Sequence, residues 1–375
     1  MSSNTRVHVA FQTKRIQYLG SPADQRAPNM CPHDNHKGLQ TSPRNIKKEK
    51  KISPSLAESK PPKPKGSSSP PIPVPVHVHV PLLAEKQPLL TALQTLQTAC
   101  SSLLIWPGGI LAILLQFASP GIAKGSCAHS RFTTHPVSRF RRTAIYIYAV
   151  THGTPLEKKL ITTAIKKQHS FISGPTYSAS DPDLQKWTAA TLFVGAVTTL
   201  DTFSSPWKSP WRRVMNNKPA LSRAEREELC MAFSEFATAL DMPADMWPGT
   251  LDEFDEYYET TLKEYEQNLG KESKSLAGVL LNGEMDLPWV VKVPLVHVMR
   301  VLMAFWLPPG LRVAFGLPDP DDGWAVWLAY VVLVWIVWAV DWIVPEMAKD
   351  LVRNWMKRDM QRAADDIRVH GRWMV

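Results

Sequence analysis

Cysteine is scarce in this chain. Only four occur in 375 residues, at Cys31, Cys100, Cys127 and Cys230, and none lies in a CxxC or CxxCH spacing. That argues against a zinc site, a thioredoxin-type dithiol and a covalently attached c-type haem. Four scattered thiols suit a reducing compartment. An apolar signal-peptide core is also lacking, since Met1 to Arg15 is largely polar. These two absences make an intracellular location the expectation. The strand-type alternation of apolar and polar residues is nearly missing. So are GxGxxG after a strand, the GxxxxGK phosphate loop, GxSxG and HExxH, and with them the activities those motifs mark.

Negative charge is short overall, with 34 Asp and Glu against 43 Lys and Arg and a formal net charge of +9. Such a total invites a nucleic-acid reading, so the location of the charge matters. The first 90 residues hold 14 basic and 5 acidic side chains, which accounts for the whole surplus. The rest is balanced, so the body is not built to grip phosphates, and no nucleic-acid partner is expected. Of the 32 prolines, 14 also fall in those 90 residues. A basic run (Lys47, Lys48, Lys50, Lys51) and a Pro/Lys/Ser stretch from Pro61 to Pro75 lie there. Such a segment cannot bury enough apolar surface to offset its ordering entropy. Residues 1–85 are therefore expected to be a disordered tail, and residues 86–375 a single helical domain.

The body reads as a succession of helices. Pro88 to Leu104 and Gly109 to Ala118 are apolar segments separated by Pro107-Gly108-Gly109. Pro136 opens a helix reaching His152. Thr154-Pro-Leu-Glu157 is a capping box for a helix that ends near Gly174. Further helices are expected from Asp181 to about Thr202, from a Ser222 cap, from Thr250 to Leu269, from Trp289 to Trp306, from Trp324 to Val344 and from Pro345 to Arg368. An all-α fold of nine to twelve helices follows.

Trp324 to Val344 contains one charge, Asp341, and is long enough to span a bilayer. Its tryptophans (Trp324, Trp327, Trp335, Trp338 and Trp342) form a lengthwise stripe. A spanning helix usually carries Trp at its two ends. The stripe fits packing against protein and equally fits lying in a membrane interface.

Few residues of the body can carry chemistry. Asp319-Pro-Asp-Asp-Gly lacks the twelfth-position Glu of a calcium loop and reads as a turn. Asp252, Glu253, Asp255 and Glu256 sit at a helix start, where carboxylates complement the dipole. Between His129 and Thr191 the pattern changes. His129-Ser-Arg-Phe132 is followed by Pro136, Arg139-Phe-Arg-Arg142-Thr143 and Lys166-Lys-Gln-His169. Then come Tyr177-Ser-Ala179-Ser-Asp181-Pro-Asp-Leu184-Gln-Lys-Trp187 and Thr191-Leu192. Leu-Leu-Gln at 114–116 precedes them. Glu235, the set Pro248/Thr250/Phe254/Tyr257/Tyr258, and the set Pro309/Leu311/Arg312/Gly316/Leu317 follow.

In this order the segments resemble the ER-bound MpaB-type oxygenases and the catalytic domain of latex-clearing rubber oxygenases. The resemblance covers residues 105–320 and leaves out the tail. It implies an all-helical fold with a globin-like core and a non-covalent haem b. It also implies an oxygenase that uses O₂ to cleave a C=C bond of an isoprenoid chain into carbonyl products. By position, His169 matches the proximal haem ligand. Arg139, Arg142 and Thr143 match the distal-side Arg, Lys and Thr of the rubber enzymes. Lys166 matches a basic residue near a haem propionate. The chain departs from the pattern at Arg142, where the rubber enzymes carry Lys, and at Ser119, where many members carry His.

The residue types agree with these roles. A neutral imidazole on a helix is a good axial ligand for haem iron. Basic groups one turn before it can pair with propionates, and a distal cation stabilises developing negative charge. Taken alone, a helical histidine is more often a satisfied core residue than a ligand; the motif order is what favours ligation. His129 could cap, bond buried backbone or lie near the haem. Asp181 reads as an N-cap. Glu235 on an apolar helix needs a partner, expected to be Arg139 or Arg142. The expected partner of the domain is an apolar small molecule, with membrane association, including at the endoplasmic reticulum, and no obligate protein partner. The competing classes are a helical membrane-associated protein that keeps the fold without haem, and a protein that acts through its tail.

Overall fold

The structure, a computed structural model, describes residue 97 and residues 105–130, 132–203, 221–285, 287–320, 323–344 and 346–373. The tail, Cys31, Cys100 and most of the helix expected from Pro88 to Leu104 lie outside them. Among the described residues there are twelve α-helices and one two-residue hairpin. They are α1 (Ile105–Gln116), α2 (Pro120–His129), α3 (Pro136–His152), α4 (Pro155–His169), β1 (Ser173–Gly174) and β2 (Tyr177–Ser178). Then follow α5 (Pro182–Phe203), α6 (Arg223–Thr238), α7 (Leu251–Gln267), α8 (Lys271–Leu281), α9 (Trp289–Trp306), α10 (Pro309–Ala314), α11 (Trp324–Ile343) and α12 (Glu346–His370). The fold is all-α, as expected.

Local chemistry sets the helix starts. Thr154 accepts from the Glu157 amide while the Glu157 carboxylate accepts from the Thr154 amide. Ser222 and Glu225 repeat the arrangement at α6. The α1–α2 corner was not anticipated. Ser119 is buried and caps α2, Pro120 supplies a preformed first turn, and the chain bends there by 100°. One short polar residue thus divides an apolar run into two helices. The segment Pro107-Gly108-Gly109, read as a break, instead forms the first turn of α1.

α5 is the central helix, with Trp187, Thr191, Phe193 and Ala196 buried along its length. α1 crosses it most closely, at Gly108 and Gly195. A Cβ on either glycine would overlap the carbonyl oxygen of the other, so the two backbones touch. The Trp187 indole donates to the Leu115 carbonyl at 3.2 Å and fixes the register of the same pair. Three apolar clusters surround this crossing. One joins α1 to α8, α9 and α11. A second joins α3, α5, α6 and α7. The third joins α3 and α4 to α12. α12 is further tied down by Asp359, which is 1% exposed and accepts two hydrogen bonds from the Arg141 guanidinium of α3.

On α11 the packed face is Tyr330, Val331 and Val334. Trp324 and Trp335 are exposed and lie outside that face. Among the described residues α9 is long and apolar enough to cross a membrane by length and composition, as is the bent α1–α2 pair if it forms one span, and the apolar stretch Trp324–Val340 of α11 is shorter. Cys230 is a buried free thiol, whereas Cys127 is disulfide-bonded. That disulfide runs against the expectation that the scattered thiols suit a reducing compartment.

Candidate active site

α4 ends at His169, with Ser170 as its C-cap, and the chain turns at once into the β1–β2 hairpin. The hairpin brings Tyr177 back over α2, where a Cβ on Gly125 would touch the Tyr177 ring. The space between α2, α3, the end of α4 and the start of α5 is a polar cavity of about 800 Å³. That lies within the range of pockets for drug-sized ligands, roughly 300–1,000 Å³. His129, Arg139, Arg142, His169 and Gln185 all face it.

His169 is strongly perturbed. Burial, and after it the nearby charge of Arg139, push its pKa down to about 4. Its Nδ1 is buried without a hydrogen-bond partner. The ring is therefore neutral at pH 7 and keeps a lone pair for a ligand. Arg139 has exposed surface and lines the cavity, with protein packed closely around its guanidinium. Burial, then the Arg142 charge, lower its pKa, but a guanidinium stays charged regardless. Arg142 also lies over the Trp373 ring at 5.9 Å. His129 Nε2 is 3.2 Å from the Tyr177 hydroxyl, which orients the imidazole at the cavity wall.

The remaining residues singled out in the sequence lie elsewhere. Thr143 does not face the polar cavity. Its hydroxyl donates to the Arg139 carbonyl at 3.2 Å, and its side chain lines a separate apolar chamber. Lys166 pairs with Asp241 at 2.9 Å and is absent from the cavity wall. Glu235 pairs with Lys158 at 2.7 Å, not with Arg139 or Arg142. The α4 lysine reaches it, while both arginines point to the cavity. Asp181 accepts from the Asp183 amide at 2.9 Å, as a cap should. Trp187 is fully buried between Tyr258 and Tyr265.

Gln185 was missed. It is buried, faces the cavity, and its Oε1 has no partner. Its place inside the Asp-Pro-x-Leu-x-x-Trp segment could have marked it. Gln116, across the cavity, donates to Thr191 Oγ1 at 3.1 Å.

Two orphaned buried polar atoms on one cavity wall, His169 Nδ1 and Gln185 Oε1, indicate an absent partner. Among the described residues no group of three or more His, Cys, Asp or Glu side chains converges on one point. A porphyrin brings four nitrogens of its own and asks the protein for an axial imidazole. The neutral His169, the cationic Arg139 and Arg142 and the cavity volume all fit such a group.

An all-helical protein with a histidine and two arginines around one open cavity is the class that fold and site define. The chain matches the family described as the ER-bound oxygenase mpaB/B'/rubber oxygenase catalytic domain over residues 100–339, and it belongs to that family. It is therefore an oxygenase-family catalytic domain. Two curated mycobacterial relatives, the uncharacterised proteins Mb2261 of Mycobacterium bovis and Rv2237 of Mycobacterium tuberculosis, are each 29% identical over 159 residues. The matched segment is 40% of this chain and 57% of each relative, so the chain spans little more than half their length. No solved structure matches the chain.

Proposed function

We propose that residues 86–375 form a haem b-dependent oxygenase that uses O₂ to cleave a C=C bond of an apolar, isoprenoid-type substrate. The observation that carries the reading is His169, a neutral imidazole with an orphaned Nδ1 on the wall of a cavity it shares with Arg139 and Arg142. Family membership supports the oxygenase class. When bound, the haem would supply the chemistry by which one O₂ and one alkene yield two carbonyl groups.

The chain's own residues have simpler tasks. His169 would hold the iron, since its depressed pKa keeps the lone pair free of a proton at neutral pH. Arg139 and Arg142 would place fixed positive charge at the cavity, where negative charge developing on oxygen is stabilised without reorganisation. Either could instead pair with a propionate. Lys166, engaged by Asp241, would need to exchange partners to do so. The His129–Tyr177 pair would hold the α2 side of the cavity rigid. Thr143, on the apolar side of α3, would contact substrate.

The absorption spectrum of the purified chain tests this. A Soret band is expected, and His169→Ala should abolish it. Full haem content in that variant would overturn the axial role. A second reading has its own support. α9 and α11 expose large apolar side chains, among them Trp289, Val291, Trp324, Val332 and Ile336, which suits attachment to a membrane such as that of the endoplasmic reticulum. Attachment is compatible with the oxygenase. A chain that stays colourless with ample haem yet sediments with vesicles would leave the membrane role alone.

A further inference from the structure

The second chamber, about 90 Å³, lies beside the polar cavity and is lined almost wholly by apolar side chains. Three helices relate the two spaces. On α1, Gln116 faces the cavity and Ile113 the chamber; on α3, Arg139 and Thr143 divide in the same way; on α5, Thr188 and Leu192 do. Each pair is separated by one helical turn, a rise of about 5 Å. The two spaces therefore lie one turn apart along α1, α3 and α5, the second the more apolar.

The chamber offers little to a polar guest. The Thr143 hydroxyl is bonded to the Arg139 carbonyl. Arg353 is engaged by Asp350 and Glu346. Apolar cavities of this kind stay dry and accept apolar guests. An engineered cavity of about 150 Å³ takes benzene, so this smaller one suits a narrow aliphatic or alkenyl chain rather than a fused-ring skeleton. Part of its wall comes from α12, through Val352, Arg353 and Met356. α12 lies beyond residue 339, where the family match ends.

We infer that the apolar chamber seats the terminal part of a narrow hydrocarbon chain, and that α12 sets how long that part can be. The inference rests on the proposed oxygenase reading only in placing the reacting bond toward the His169 cavity. Small residues keep the chamber open: Ala144 and Ala196 face it from α3 and α5. α12 is held in place by the Arg141–Asp359 pair and by the packing of Met356, Met360 and Ala363 against α3 and α4. Its position is therefore fixed rather than induced, and a chain reaching Met356 meets a firm wall.

The test is a binding measurement on the full chain, with cis-parinaric acid as fluorescent probe and geraniol, farnesol and geranylgeraniol as competitors. Ala196→Phe should fill the chamber and weaken probe and prenol binding about tenfold or more, since excluding even two methylenes costs roughly that much. Met356→Ala should move the preference toward the longer prenol, a shift that simple destabilisation would not produce. Circular dichroism verifies the fold of both variants; if Ala196→Phe fails to fold, Met356→Ala decides. No binding by the wild type, or unchanged affinity and chain-length preference in the folded variants, overturns the inference. The Soret band is recorded in parallel. Chain binding that responds to the variants without any Soret band sinks the oxygenase reading alone. A Soret band with binding indifferent to them sinks this inference alone.

Discussion

The Arg141–Asp359 pair allows a sharp prediction, because its two halves are buried unequally. The Asp359 side chain is 1% exposed, while that of Arg141 is 39% exposed. Removing Asp359 leaves a guanidinium that water can reach. Removing Arg141 leaves a carboxylate that water cannot reach. The Asp359 hydrogen bond, which raises the Arg141 pKa, already shows how firmly the two are joined. Breaking a fully buried pair costs about 3–5 kcal/mol, and the exposure of Arg141 makes the figure smaller here.

Arg141→Met should therefore cost more than Asp359→Leu at pH 7, by about 1 kcal/mol or more. Urea denaturation of both variants and the wild type at pH 7 measures the difference. Equal losses, or a larger loss for Asp359→Leu, would refute the unequal burial from which the prediction is worked.

Other predictions follow from single contacts. Gly195→Ala should destabilise the protein by about 1–3 kcal/mol, read as a lower Tm, because the added methyl meets the Gly108 carbonyl where α1 and α5 touch. Cys230, whose thiol burial pushes up to about 12, should resist a thiol reagent at pH 8 and react on unfolding; rapid labelling of the folded protein would contradict this. In the haem-free chain the His169 ring, with its pKa near 4, should stay neutral to well below pH 6 in an NMR titration. Its folded pKa lies below the unfolded value, so the stability it contributes is complete above about pH 6.5 and is lost as the pH falls toward 4. Arg139→Gln should raise that pKa, since the Arg139 charge is the second cause of the shift.

Much of the fold was legible because helix starts are local chemistry. Thr154 with Glu157, Ser222 with Glu225 and Pro136 announce their helices within four residues of chain. α2 and α8 were not legible. α2 depends on a sharp corner at a buried Ser119 that looks like a continuation of an apolar run. α8 has Gly270 at its N-cap and no side-chain cap to signal its start. Of the site, His169, Arg139, Arg142 and His129 were named in advance and do share a cavity. Thr143 stands four residues from Arg139, one turn along α3, and that turn carries it into the next chamber. The partner of Glu235 was misjudged because charge complementarity alone cannot choose among several cations. Distance chose Lys158.

The sequence by itself determined the helical character of the body, its charge balance, the family, and which histidine and arginines to examine. These are properties of composition, of capping within one turn, and of ordered short motifs. Tertiary structure alone decided that His169 is neutral, because burial and the Arg139 charge come from separate helices. It alone set the polar cavity next to an apolar chamber, because that depends on how α1, α3 and α5 cross. It alone gave α12 a wall of that chamber, through a part-buried ion pair between residues 218 positions apart. Contacts at such separation leave no trace in local pattern, since their free energy appears only after the chain has closed the loop between them.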